Sequence, residues 1–175
     1  MYAHADVRRI LPQRHPLLLV DRVVSVDPGR HIRTEKAVTA TEPCYAGLAD
    51  TDDATRYAYP VSLLIESLGQ SAALLWLHGE APIGDDDVLL FVGARDYRFD
   101  GCAHPGDVLR HEVWLESVVA DTAFARGETW VGDRRIATVA TLIAARRTRH
   151  ALAGDGRSDT RLDPSSRGED REGVA

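Results

Sequence analysis

Residues 61–78 read VSLLIESLGQSAALLWLH, and this stretch decides the fold. A helix drawn through it is apolar on nearly every side, the pattern of a helix buried all round. Ser62, just after Pro60, is placed to cap its start, and Gly79 follows as a residue suited to end it. The only charged side chain in the run is Glu66.

Strand-like segments lie on both sides. Upstream, residues 17–26 (LLLVDRVVSV) are apolar and branched. Asp27-Pro28-Gly29 supplies a turn, and residues 30–40 (RHIRTEKAVTA) suit a returning strand, so the two read as a hairpin. Downstream, strands are expected near 87–98, 107–119, 122–131 and 134–147, separated by turn signals such as His104-Pro105-Gly106 and Gly132-Asp133. The last three, with short connections, suit an antiparallel meander. One buried helix with about six antiparallel strands predicts an α+β fold, a sheet curled around a helix.

The bulk numbers narrow the function. The 175 residues suffice for one domain. Hydrophobic residues at 44% and charged residues at 27% are ordinary for a soluble protein, and the net charge of -6 argues against a nucleic-acid binder. Cys44 and Cys102 make no disulfide framework. No run is long enough to span a membrane, and the N-terminus lacks an apolar signal core, so a cytoplasmic location is expected. From Ala151 the composition turns to Gly, Ser, Asp and Arg, which predicts a domain over 1–150 and a disordered tail over 151–175.

Four blocks, in order, resemble the FabZ-type 3-hydroxyacyl-[acyl-carrier-protein] dehydratases. ILPQRHPLLLVDRVVSVDPGRHI resembles the family's LPHRYPFLLVDRV and its PG turn. VTATEP (38–43) resembles the segment before its active-site loop. YPVSLLIESLGQSAALL resembles its helix, close to MPGVLIIEALAQAAG. FVGARDYRFDGCAHPGD resembles its third strand and P-G-D turn. The resemblance implies the hotdog fold, dimers built through continuous sheets, and an acyl tunnel at the dimer interface. It also implies a substrate carried on the phosphopantetheine arm of an acyl carrier protein, with no other cofactor. Each active site would take a histidine from one subunit's loop and an acidic residue from the other's helix.

Elimination of water from a 3-hydroxyacyl thioester needs a base for the Cα proton and an acid for the departing β-hydroxyl. Backbone donors at the helix start can hold the thioester oxygen. Glu66 matches the family's acidic residue; a lone carboxylate among Leu63, Leu64, Ile65 and Leu68 is disfavoured in its charged form, which suits an acid. A buried Glu66 satisfied by an arginine or a backbone group is the structural alternative. Ser62, Glu66 and Gln70 recur at four-residue spacing on one face, and Gln70 matches a family glutamine able to orient the carboxylate.

The loop departs from the family. EPFFQGHFPGRPVMPG there becomes EPCYAGLADTDDATRYAYPV here, residues 42–61, and Leu48, beside Gly47, stands where the histidine is expected. Val61 replaces the glycine that starts the helix, although its backbone N–H remains. Three readings follow: a heterodimer whose related partner supplies the histidine; replacement by Tyr57, Tyr59 or Asp50; or a chain that binds acyl thioesters, or serves only as a structural partner. A dehydratase subunit (a lyase) for carrier-bound 3-hydroxyacyl chains in fatty-acid or polyketide-type synthesis leads; the alternatives are a non-catalytic hotdog partner and an acyl thioesterase. A homodimer stays open, and neither nucleic acid nor membrane is expected as partner.

Other polar residues read as structural. His15 is expected to be structural, His104 exposed, and His31, His78 and His111 on strands or a helix end, none at metal-ligand spacing. Cys44 reads as a small buried hydrophobe, and Tyr45, Tyr57 and Tyr59 chiefly as packing, with the tunnel mouth as the alternative. Arg146, Arg147 and Arg149 form either a carrier-protein docking patch or a solvated strand end.

Overall fold

Alternating inward apolar residues set the strands, and the computed structural model describes residues 2–49, 51–78 and 86–153. In chain order these give α1 (His4–Ile10), β1 (Arg22–Asp27), β2 (His31–Ala37), two 3₁₀ turns (Pro43–Tyr45 and Ala54–Tyr57), α2 (Val61–Trp76), β3 (Asp87–Phe99), β4 (Val108–Val119), β5 (Thr122–Val131), β6 (Arg134–Thr148) and α3 (Arg149–Ala153). The six strands form one antiparallel sheet in the order β1-β2-β4-β5-β6-β3, with β4, β5 and β6 as the expected meander.

Helix α2 lies on the sheet. Leu68, Leu74 and Leu75 of α2 meet Ile32, Val113 and Val139 in the main core. Each such side chain, fully buried, contributes roughly 1.5–3 kcal/mol. Gly127 of β5 permits the close approach, because a Cβ there would lie 3.1 Å from Leu68 Cδ1. A second cluster forms at the start of α2 around Tyr59, Leu64, Leu109 and Ile136.

Several local expectations need correction. Helix α2 starts at Val61 with Pro60 in the N-cap place, so exposed Ser62 lies inside the helix and caps nothing. Gly79 lies outside the described residues. Residues 17–20 do not enter the ladder: Gln70 Oε1 accepts from Leu19 N, Gln70 Nε2 donates to Leu17 O and Ser67 Oγ donates to Leu19 O, whereas Asp21 N already bonds Glu35 O of β2. The N-terminal segment, not read as helical, forms α1, whose Val7 and following Leu11 are buried at i, i+4 spacing. Ala151–Ala153 belong to α3 rather than to the tail, whose remainder lies outside the described residues.

The all-round burial expected of α2 is incomplete within one chain. Val61 is 48% exposed, and Ile65, Glu66, Gly69, Ala72 and Trp76 are only half-buried. At the sheet's edge, β3 leaves Phe91 and Val92 45% and 59% exposed.

Candidate active site

Glu66 is held from two directions. Gln70 Nε2 donates to Glu66 Oε1 at 2.7 Å, one helical turn away, and Gln13 Nε2 approaches the same oxygen at 3.5 Å. No described residue bonds Oε2. Among the described residues the carboxylate's partners are the two glutamine amides, and neither an arginine nor a backbone group bonds it. Glu66 is half-buried in this chain rather than enclosed.

Gln70 is itself 1% exposed and fully used: Oε1 accepts from Leu19 N (2.8 Å), and Nε2 donates to both Leu17 O (2.7 Å) and Glu66. Rotating the amide would set oxygen against oxygen at Leu17 and Glu66, so its orientation is fixed. Beside the pair, a small cavity is walled by Gly69, Ala73, Leu89, Phe91 and Ala144. A second, more apolar cavity shares Gly69, Phe91 and Ala144 and reaches Trp76 and Leu142. Phe91 lines both, its ring 3.6 Å from where a Cβ on Gly69 would lie. The arrangement offers a polar head at Glu66 and Gln70 beside an apolar slot between helix and sheet.

The altered loop occupies different ground. Leu48 and Tyr57 pack onto the second cluster with Tyr45, Tyr59 and Leu64, while Gly47 is exposed. Tyr45 and Tyr57 pair with ring centroids 5.7 Å apart. No hydrogen bond among the described residues joins this loop to Glu66. Val61 and Ser62 are exposed at the head of α2, where Leu63 N and Leu64 N bond Pro60 O. Thus Glu66 and Gln70 come together, Leu48, Tyr57 and Tyr59 come together elsewhere, and the two groups stay apart within one chain.

Of the loop's substitutes for a histidine, Tyr59 is poorly suited. Tyr59 is 3% exposed, and burial pushes its hydroxyl far above the ordinary tyrosine range, so it holds its proton. Burial likewise moves Tyr45 up to about 12. Asp50 lies outside the described residues. The neighbouring aspartates hold turns: Asp52 accepts from Ala49 N and Arg56, and Asp53 from Thr55 N, and these backbone bonds lower both carboxyls.

Cys44 is exposed, not buried as expected, and partial desolvation of its sulfur raises the thiol, which disfavours a nucleophilic thiolate. His15 is exposed; His104, expected exposed, is half-buried. His31 bonds Glu112 at 2.7 Å, and His78 bonds Tyr2 Oη at 2.8 Å. Arg146 is engaged by Asp87 at 2.9 Å, which weakens the basic cluster as a docking patch. Among the described residues no group of His, Cys, Asp or Glu could hold a metal ion, and no helix is long and apolar enough to cross a membrane.

Sequence reasoning missed two contributors. Gln13 carries no signal beyond its motif. His111 did carry one: it alternates with Leu109 and Val113 on β4 and so must point inward. It is fully buried, with Nε2 2.8 Å from Ser67 Oγ and Nδ1 3.0 Å from Thr129 Oγ1, and burial lowers it to about 3.

Comparison with known proteins settles the relationship. The family model of the FabA-like domain matches residues 11–140. The 3-hydroxyacyl-[acyl-carrier-protein] dehydratase FabZ of Paracidovorax citrulli is 38% identical over 145 residues, covering 82% of this chain and 95% of that protein. This chain belongs to the FabZ-type dehydratase family. The FabZ of Pseudothermotoga lettingae is 34% identical over 142 residues, covering 81% and 95%. Among solved structures, the dehydratase heterocomplex ApeI:P of Xenorhabdus doucetiae superposes with a TM-score of 0.69 at 20% identity, covering 84% of this chain and 94% of that one. A hot-dog-like protein of Thermanaerovibrio acidaminovorans gives 0.54 at 15%, covering 73% and 88%. The family member thus has the hotdog fold expected from its sequence, with its glutamate in the family's helix and Leu48 in the variant loop.

Proposed function

We propose that this chain is the acid-donating subunit of a dehydratase acting on 3-hydroxyacyl chains bound to an acyl carrier protein. The observation that carries the reading is the polar pair Glu66–Gln70 beside an apolar slot, with Leu48 where a base is required. The base then comes from a histidine on a related partner chain. That histidine takes the Cα proton, the electron pair forms the Cα–Cβ double bond, and the β-hydroxyl departs as water on receiving the proton of Glu66. Gln70 holds Oε1, which leaves Oε2 to carry that proton. Backbone N–H groups at the head of α2 are suited to the thioester oxygen.

Two features support a partner. The half-open face of α2 and the edge of β3, with Phe91 and Val92 exposed, are what a second hotdog subunit would cover. The solved neighbour from Xenorhabdus is a dehydratase heterocomplex. The pathway served is one of fatty-acid or polyketide type, and the proposed site of action is the cytoplasm.

The test is dehydration of 3-hydroxyacyl-carrier protein by the purified chain, by a histidine-bearing partner, and by the two co-expressed. The reading expects no turnover from the chain alone and activity in the mixture that falls on Glu66→Gln. Full activity of the isolated chain refutes it. Mixed activity indifferent to Glu66→Gln makes the chain a structural partner, and release of free carrier protein with a fatty acid would mean hydrolysis.

A further inference from the structure

The main core holds a run of polar side chains where apolar ones would be expected. Thr34, Ser67, Ser71, His111 and Thr129 are each 0% exposed. They link β2, α2, β4 and β5. Buried polar groups persist only when their hydrogen bonds are made, and here the proton inventory can be completed.

Ser67 has one hydroxyl proton. It goes to Leu19 O at 2.7 Å, since a carbonyl can only accept. Ser67 Oγ must therefore accept from His111 Nε2 at 2.8 Å, so the neutral imidazole carries its proton on Nε2. Nδ1 is then an acceptor, and Thr129 Oγ1 donates to it at 3.0 Å. On the next turn, Ser71 Oγ donates to Ser67 O at 2.9 Å, so Thr34 donates to Ser71 at 2.7 Å. Each of these donors has one acceptor.

The run ends on the segment that Gln70 uses. Leu19 is held through its carbonyl by Ser67 and through its N–H by Gln70, and Gln70 also bonds Leu17 O. Loss of the Ser67 bond frees the carbonyl of a residue whose amide fixes the Gln70 side chain. We infer that His111 and Ser67 are positioning residues for Glu66: the imidazole orients the Ser67 hydroxyl onto Leu19 O, and the clamped Leu17–Leu19 segment holds the Gln70 amide that presents the carboxylate. The effect on catalysis rests on the proposed dehydratase reading; the clamp itself does not.

The test uses the full chain co-expressed with its histidine-bearing partner. Variants Ser67→Ala and Ser67→Thr are compared, the second keeping the hydroxyl. In Ser67→Ala the Leu19 amide should exchange with solvent on the order of tenfold faster. The kcat should fall on the order of tenfold with KM nearly unchanged. Ser67→Thr should recover most of both, and Ser67→Ala should cost nothing further in kcat in a Gln70→Ala background. Imidazole nitrogen shifts should place the His111 proton on Nε2 near neutral pH. Unchanged Leu19 exchange in a folded Ser67→Ala protein overturns the clamp, as does a proton on Nδ1. Faster exchange with unchanged kcat overturns the positioning role. If the unsubstituted pair shows no dehydration, the functional reading fails instead, while Leu19 exchange and the His111 proton still decide the clamp.

Discussion

Lowering the pH from 7 to 5 should destabilise this protein through one side chain, His111. It is fully buried, and burial alone holds its folded-state value at about 3 against an ordinary 6.5. A depressed histidine binds its proton in the unfolded chain before it does so in the folded one. Its contribution is therefore fully present above pH 6.5 and is lost as the pH falls towards 3. Over the two units from 7 to 5, the unfolded imidazole gains about 2 kcal/mol of protonation free energy while the folded one gains almost none. That is a large fraction of a typical domain's 5–15 kcal/mol. The assay is urea unfolding at fixed protein concentration at both pH values, for the parent and for His111→Gln. The six other histidines are common to both proteins and cancel in the comparison. The parent should lose about 2 kcal/mol more than the variant. Equal pH dependence of the two would show that His111 does not stay neutral, and the proton inventory around Ser67 would fall with it.

Three further outcomes follow from the contacts. Lys36→Met leaves the half-buried Glu42 without its 2.7 Å partner, with only Thr39 N among the described residues still bonding its carboxylate, and should cost roughly 1–3 kcal/mol in unfolding free energy, loosening the start of the variant loop. Gly127→Ala pushes a methyl against Leu68, 3.1 Å from Cδ1, and should cost about 1–3 kcal/mol by the same measurement. Tyr59→Phe removes a buried hydroxyl that has no partner among the described residues; activity with the partner chain should persist and stability should rise by up to about 1 kcal/mol. Loss of turnover in that variant would restore Tyr59 as the missing base.

The strands and α2 were legible because burial, on one face of the strands and over most of the surface of α2, sets the period of their apolar residues, which a sequence records directly. The edges were less so. Residues 17–20 have a strand's composition, yet Gln70 and Ser67 take the backbone groups of Leu17 and Leu19, and such long-range side-chain bonds leave no local pattern. Ser62 fits a capping motif, but the backbone enters the helix two residues earlier, at Pro60. Glu66 and Gln70 were readable from helical spacing together with family resemblance. Gln13 was not, because it reaches Glu66 from 53 residues away in sequence. His111 could have been placed inside by strand alternation alone; its partners Ser67 and Thr129 could not, since they come from two other elements.

The central claim is that Glu66 serves a site whose base belongs to another chain. Its most direct measurement pairs this chain with a FabZ-type partner that keeps its histidine but has lost its own acidic residue by substitution. Neither chain can then form a complete site with itself. The account predicts that the mixed pair dehydrates 3-hydroxyacyl-carrier protein and that Glu66→Gln abolishes this turnover. A purified mixed pair that is inactive, or one that remains active after Glu66→Gln, would contradict it.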